Sequence, residues 1–61
     1  METKLAIARK AKRLSQKKLA DLANLHHRTI QEWELGSFGD ARIKNVKRVA
    51  DVLECKIDDL L

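Results

Sequence analysis

The chain has 61 residues, a mass of 7.0 kDa and a net charge of +4, so it forms one domain with a small core and has a surface that suits a polyanionic partner. Chains this short cannot build a Rossmann sheet, a barrel or a sandwich. The composition has no proline, two glycines and two aromatic residues, Trp33 and Phe38, which suits short helices better than strands. We therefore expect an all-α fold and a single domain over residues 1–61.

The charge is unevenly distributed along the sequence. Residues 1–18 contain seven basic side chains and one acidic one, and residues 36–50 have a net charge of +3. The segments between and after them, 19–35 and 51–61, have net charges of −2 and −3. One face can therefore meet phosphate while another remains acidic, although a well-solvated surface would give the same pattern.

The single cysteine, Cys55, has no partner for an internal disulfide, and it is interpreted as an ordinary thiol. The sequence contains no stretch that resembles a signal peptide or a membrane-spanning helix. These features predict a cytoplasmic protein with no membrane partner.

Apolar spacing predicts two helices at the start of the chain. The first is expected at about residues 3–13 and the second at about 16–23, where the Ser15 hydroxyl can cap the first turn. Asn24 is expected to end the second helix in the left-handed conformation. The residues predicted to face the core are Leu5, Ala8, Ala11, Leu19, Ala20 and Ala23.

Three further elements complete the predicted bundle. A third helix is expected at about 27–35, a fourth at about 44–53 after a loop at 36–42, and a short closing turn near 57–61. The predicted core residues of these elements are Ile30, Trp33, Ile43, Val46, Val49, Ala50, Leu53, Ile57 and Leu60. The result is a compact bundle of four to five short helices, in which the second and third form a helix-turn-helix unit.

Three segments of this sequence carry a specific resemblance. Residues 14–25 read LSQKKLADLANL, residues 29–36 read TIQEWELG, and residues 49–61 read VADVLECKIDDLL. Together they resemble the phage repressor/Cro-type (XRE-like) helix-turn-helix family over nearly the whole chain. The resemblance implies a lambda-repressor-like DNA-binding domain whose third helix enters the major groove of double-stranded DNA.

The same resemblance implies roles for individual residues. The implied base contacts are His27, Arg28, Gln31 and Glu32. The resemblance implies that Gln16 binds a phosphate and braces the start of the third helix. The further residues predicted to contact phosphates are Lys17, His26, Thr29, Arg42 and Lys44. Helical spacing independently places Arg28 and Glu32 on one face, opposite Ile30 and Trp33.

The chemistry of this face leaves one question open. Arg28 can donate two hydrogen bonds to the O6 and N7 atoms of guanine. Glu32 can accept a hydrogen bond from the N4 atom of cytosine, or it can pair with Arg28 at the (i, i+4) spacing and position it.

Arg9 and Glu34 are implied by the resemblance to form a buried structural ion pair, with two separate solvated charges as the alternative. Two helix ends depart from the family pattern, because Arg13 and Glu54 stand where glycine is usual. Phe38, in the loop, is interpreted as a cap of the core or as a dimer contact.

No metal, cofactor or small-molecule effector is predicted. His26 and His27 are neighbours on the chain, whereas zinc needs three or four converging ligands. The sequence also shows no glycine-rich phosphate loop and no pairing of a nucleophile with a base, so we expect a protein that is not an enzyme.

The predicted function is sequence-specific DNA binding by a small transcription regulator, a repressor of bacterial, phage or mobile-element origin. A homodimer on a palindromic operator is expected, because one small domain reads few base pairs. The alternative is a protein-interaction module or an antitoxin component that retains the helix-turn-helix fold.

Overall fold

The computed structural model describes residues 3–36 and 41–60, and within these ranges all regular structure is helical. The helices are α1 (Lys4–Ala11), α2 (Gln16–Ala23), α3 (His27–Glu34) and α4 (Ile43–Val52), and a 3-10 turn over Ile57–Asp59 follows. This architecture confirms the predicted all-α fold. The predicted bounds of the second helix are confirmed, whereas α1 is shorter than predicted and α4 begins and ends one residue earlier.

Two hydroxyl side chains define where the first two helices begin. The Thr3 hydroxyl accepts a hydrogen bond from the amide of Ala6 at 3.2 Å, and the Ser15 hydroxyl accepts one from the amide of Lys18 at 3.0 Å. The capping role predicted for Ser15 is therefore confirmed. The α3 helix begins at His27, and its N-cap residue, His26, makes no side-chain capping bond.

Three helix ends share one geometry. The non-glycine residues that adopt left-handed φ angles in the described ranges are Arg13 at 58°, Asn24 at 57° and Glu54 at 55°. In each case the next amide reaches back five residues, in the bonds from Leu14 to Arg9, Leu25 to Ala20 and Cys55 to Ala50. This is the longer bond of a Schellman motif, and it satisfies carbonyls that the helix leaves unpaired. Arg13 and Glu54 thus form left-handed ends without glycine.

The core is centred on α2, which packs against both α3 and α4. The largest fully buried side chains are Leu5, Leu19, Ile30, Val46 and Val49. Trp33 is only 5% exposed, which confirms its interpretation as a core residue. Small residues such as Ala20 and Ala23 allow the backbones of neighbouring helices to approach closely.

Two residues predicted to line the core are exposed. Ala11 lies six residues after Leu5, which is about one and two-thirds helical turns, so it points away from the core. Ile43 is 65% exposed because it is the first residue of α4, where no described element covers it. The inner side of α1 is instead completed by Ala6 and by the charged residue Arg9.

The closing turn packs Leu60 into the core, where it is 3% exposed. A carboxylate oxygen of Asp59 accepts a hydrogen bond from the amide of Lys56 at 3.2 Å and fixes the entry to the turn. Burial and the nearby Asp59 carboxylate raise the pKa of the Cys55 thiol, which outweighs the opposite effect of Lys12. None of the helices in the described ranges combines the length and the apolar character needed to cross a bilayer.

Candidate nucleic-acid interface

The α2 and α3 helices are joined by a turn of residues 24–26. Asn24 reverses the chain in the left-handed conformation, and Leu25 packs against the core, which anchors the turn. The amide of Leu25 donates to the carbonyl of Ala20 at 2.8 Å, so the corner is closed by backbone as well as by packing. These contacts fix the position at which α3 begins.

The four implied base-contacting residues lie on the solvent side of α3. His27, Arg28, Gln31 and Glu32 are all exposed, whereas Ile30 and Trp33 are buried on the opposite side. The face therefore presents donors and acceptors at helical spacing on a short, well-packed element.

Arg28 and Glu32 are joined by an ion pair on this face. The Nε atom of Arg28 donates to Oε1 of Glu32 at 3.2 Å, and the two side chains are 84% and 53% exposed. An exposed pair of this kind contributes about 0–1 kcal/mol to stability.

A second and buried ion pair holds α3 against α1. Arg9 binds both carboxylate oxygens of Glu34, with Nε at 2.6 Å from Oε2 and Nη2 at 3.0 Å from Oε1. Its Nη1 atom donates to the carbonyl of Leu14 at 2.7 Å. The side chains of Arg9 and Glu34 are 11% and 8% exposed, so this guanidinium links α1, the corner after it and the last turn of α3 within the protein.

The ionised form of Glu34 is favoured in this setting. Burial raises the pKa of Glu34, but hydrogen bonds from Arg9 and Gln16 and the charges of Arg9 and Lys10 outweigh it, so the pKa lies below its ordinary value. The carboxylate is therefore charged at neutral pH.

Gln16 takes part in the same network. Its Nε2 atom donates to Oε1 of Glu34 at 3.1 Å, at the end of α3 rather than at its start, where the sequence placed this brace. The difference arises because a short turn joins the end of α2 to the start of α3, so the first turn of α2 lies toward the far end of α3. The Nε2 atom carries a second proton that this bond does not use.

The other predicted phosphate contacts lie at several places on the fold. Lys17, His26, Arg42 and Lys44 are exposed, and Thr29 is half-buried. Arg42 and Lys44 stand at the start of α4. Phe38, interpreted from the sequence as a cap of the core or a dimer contact, lies outside the described residues.

A groove of about 510 Å³ adds candidates that the sequence did not indicate. It separates α1 from the end of α3, and Lys10, Gln16, Gln31 and Leu35 are among its lining residues. The sequence predictions gave Lys10 no place in the interface, yet it shares this groove with Gln16. The sequence feature that could have indicated Lys10 is its position directly after Arg9, within the basic segment 1–18. Leu35 is 86% exposed, an unusual position for a leucine.

The histidines His26 and His27 form part of a shallow pocket with Asp21, Asn24 and Leu25. Across residues 3–36 and 41–60, His, Cys, Asp and Glu side chains form no group of three that could hold a metal ion. The two adjacent imidazoles and the Asp21 carboxylate line the same pocket but are not arranged as a metal site.

Comparison with known proteins gives one match. No curated protein and no solved structure matches this chain significantly. The profile of a family described as helix-turn-helix matches residues 5–60, which includes α1 from its second residue, the other three helices and the closing turn. The match, the three-residue corner and the exposed polar face of α3 agree. The chain therefore belongs to the phage repressor/Cro-type helix-turn-helix family of DNA-binding regulators.

Proposed function

We propose that this protein is a transcription repressor that reads a specific DNA sequence by placing α3 in the major groove. The observation that carries the proposal is the arrangement of α3, in which His27, Arg28, Gln31 and Glu32 are exposed opposite two buried anchors. A major groove about 12 Å wide admits one α-helix, and the exposed side chains then face the base edges.

Two polar residues on this face have a matching base edge. The Arg28 guanidinium can donate to the O6 and N7 atoms of guanine, and the Gln31 amide can pair with the N6 and N7 atoms of adenine. His27 stands at the first position of α3, nearest the start of the helix, which is the part that this family inserts deepest. Because arginine contacts to guanine are the commonest specific base contacts, we assign the recognition of guanine to Arg28.

The phosphate contacts frame α3 on both sides. Gln16, Lys17, His26 and Thr29 would hold one strand, and Arg42 and Lys44 the other side of the groove. Only Lys17, Arg42 and Lys44 in this set are permanently charged. Neutralisation of three phosphates predicts a slope of about −2.7 for log affinity against log salt per bound protomer.

The size of the protein favours two copies per operator. The described part of the chain extends 25 × 25 × 20 Å between Cα atoms. Half-sites on one face of a duplex lie about 34–36 Å apart, which is more than one copy spans. Two copies at that distance would nearly touch once side chains are included, so we propose a homodimer on a palindromic operator.

Selection from random duplex DNA at about 150 mM salt tests this function. The expected outcome is a palindromic motif with guanine at a fixed position in each half-site. Arg28→Ala should abolish the preference for that guanine, whereas Arg48→Ala, which removes an exposed arginine on α4, should not. Salt-sensitive retention without a motif would reject sequence-specific reading. Failure to retain DNA would favour the protein-interaction module.

A further inference from the structure

The charges of Arg28 and Glu32 each interact unfavourably with the dipole of the helix that carries them. Arg28 lies in the first turn of α3, where a cation is unfavourable, and Glu32 lies in the last turn, where an anion is unfavourable. The order of basic residue before acidic residue is also the weaker one at the (i, i+4) spacing. Stability of the helix therefore gives little reason for this pair.

The two side chains are also independent of the core. Both are exposed, and in the described ranges their one hydrogen bond or ion pair is with each other. They differ in this respect from Arg9 and Glu34, which are buried and join three parts of the fold. If the Arg28–Glu32 pair has a role, it therefore concerns the partner that binds to the exposed face of α3.

The bond between Arg28 and Glu32 uses only one edge of the Arg28 guanidinium. Glu32 accepts from the Nε atom, which leaves the Nη1 and Nη2 atoms at the tip of the side chain for an external acceptor. Those two nitrogens form a planar fork that matches the O6 and N7 atoms of guanine. The carboxylate restrains a flexible side chain, so less rotational freedom is lost when the fork meets the base.

We infer that Glu32 is a positioning residue that orients Arg28 for one guanine and reads no base itself. This inference rests on the proposed function. It separates two effects of the carboxylate, because the negative charge repels every phosphate while the hydrogen bond sharpens one base preference. Removal of Glu32 should therefore raise affinity for arbitrary DNA and reduce discrimination at the guanine position.

A double-mutant cycle on the selected operator tests the inference. Affinities would be measured for wild type, Glu32→Ala, Arg28→Ala and the double variant, on the selected site, on each single-base substitution and on a random duplex. Arg28→Ala should reduce the preference for guanine roughly 10- to 100-fold. Glu32→Ala should reduce the same preference at least about threefold and should have no effect on it in the Arg28→Ala background.

Two further variants make the readout specific. Glu32→Gln retains an oxygen that accepts from Nε, so it should restore most of the preference while it still raises affinity for random DNA. Asp51→Ala removes an exposed carboxylate from α4 and controls for the loss of one negative charge. It should leave the preference for guanine unchanged. Circular dichroism would establish that each variant is folded.

The outcomes distinguish this inference from the function on which it rests. If Glu32→Ala changes base preference equally with and without Arg28, the carboxylate reads a base directly and the positioning role is wrong. If wild type selects a motif in which neither substitution alters any preference, the pair does not take part in reading. If wild type selects no motif at all, both the function and the inference are rejected.

Discussion

Arg9 and Glu34 form a bidentate ion pair, with N–O distances of 2.6 and 3.0 Å, that ties α1 to the last turn of α3. The third bond of the guanidinium, to the carbonyl of Leu14 at 2.7 Å, includes the corner between α1 and α2. In a chain of 61 residues the apolar core is small, so a buried polar link of this kind bears on stability more than on chemistry.

Replacing Arg9 by methionine should destabilise the fold more than it weakens DNA binding by each folded molecule. The substitution removes both guanidinium bonds from the Glu34 carboxylate and leaves it with the Gln16 amide and the charge of Lys10. Breaking a buried pair of this kind costs up to roughly 3–5 kcal/mol in the free energy of unfolding. Urea denaturation followed by circular dichroism measures this cost. The double variant Arg9→Met/Glu34→Leu should recover much of the loss because no buried charge remains. Equal unfolding free energies for wild type and the single variant would contradict the prediction.

The ion pair also predicts how stability depends on pH. The pKa of Glu34 is lower in the folded protein than its unfolded value near 4.3, so its contribution is fully present above that pH and is lost as pH falls through the folded pKa. Wild type should exceed Glu34→Gln in unfolding free energy at pH 7, and the difference should shrink below about pH 4. Denaturation at a series of pH values measures it. A difference that stays constant down to pH 2 would show that the charge of Glu34 is not the stabilising feature.

The elements that sequence periodicity predicts well are those with a complete apolar face and a recognisable start. The α2 helix has both, since Ser15 caps it and Leu19, Ala20 and Ala23 are buried. Periodicity failed where the spacing drifts off the face, as at Ala11, and where a helix end lacks a neighbour, as at Ile43.

The sequence predicted which residues share the exposed face of α3, but it left open which side chains form bonds with each other. Helical spacing alone places Arg28 and Glu32 on one face, but whether their side chains meet depends on the rotamers that they adopt in the fold. The bond from Gln16 to Glu34 depends on how α2 lies across α3, which no local pattern encodes. The groove beside Lys10 is likewise a product of packing between α1 and α3.

Arg13→Gly should stabilise the protein because it removes a side chain from a left-handed position. Non-glycine residues incur a cost of about 1–2 kcal/mol there, and glycine returns part of that gain through its greater freedom in the unfolded chain. A net gain of about 0.5–1 kcal/mol is expected for Arg13→Gly. Glu54→Gly should gain less, since it also removes the exposed contact to Lys12 at 3.3 Å. Thermal unfolding measures both variants.

A matched substitution checks that this effect arises from the left-handed backbone and not from glycine in general. Lys47→Gly changes an exposed basic residue in the interior of α4, where φ is helical, and should destabilise by about 1 kcal/mol. The free energy of unfolding should therefore rise for Arg13→Gly and fall for Lys47→Gly. A loss of stability in both would mean that the Arg13 side chain contributes more than its backbone geometry costs.

His26→Ser should separate the stability of α3 from its proposed binding role. The introduced hydroxyl can accept from the amide of Thr29, as the Ser15 hydroxyl does from Lys18, in place of the bond that the Thr29 amide makes to the His26 carbonyl at 3.0 Å. Because one bond replaces another, the gain should lie at the low end for a cap, about 0.5 kcal/mol in the free energy of unfolding. The same change removes the imidazole that we assign to a phosphate, so affinity for the selected operator should fall roughly two- to tenfold. Thermal unfolding and titration of labelled duplex measure the two effects. Ser15→Ala removes the equivalent cap from α2 and should lower the free energy of unfolding by about 1 kcal/mol. This loss gives a scale for the gain expected from His26→Ser. Higher stability with unchanged affinity would remove His26 from the phosphate contacts while leaving the capping argument intact.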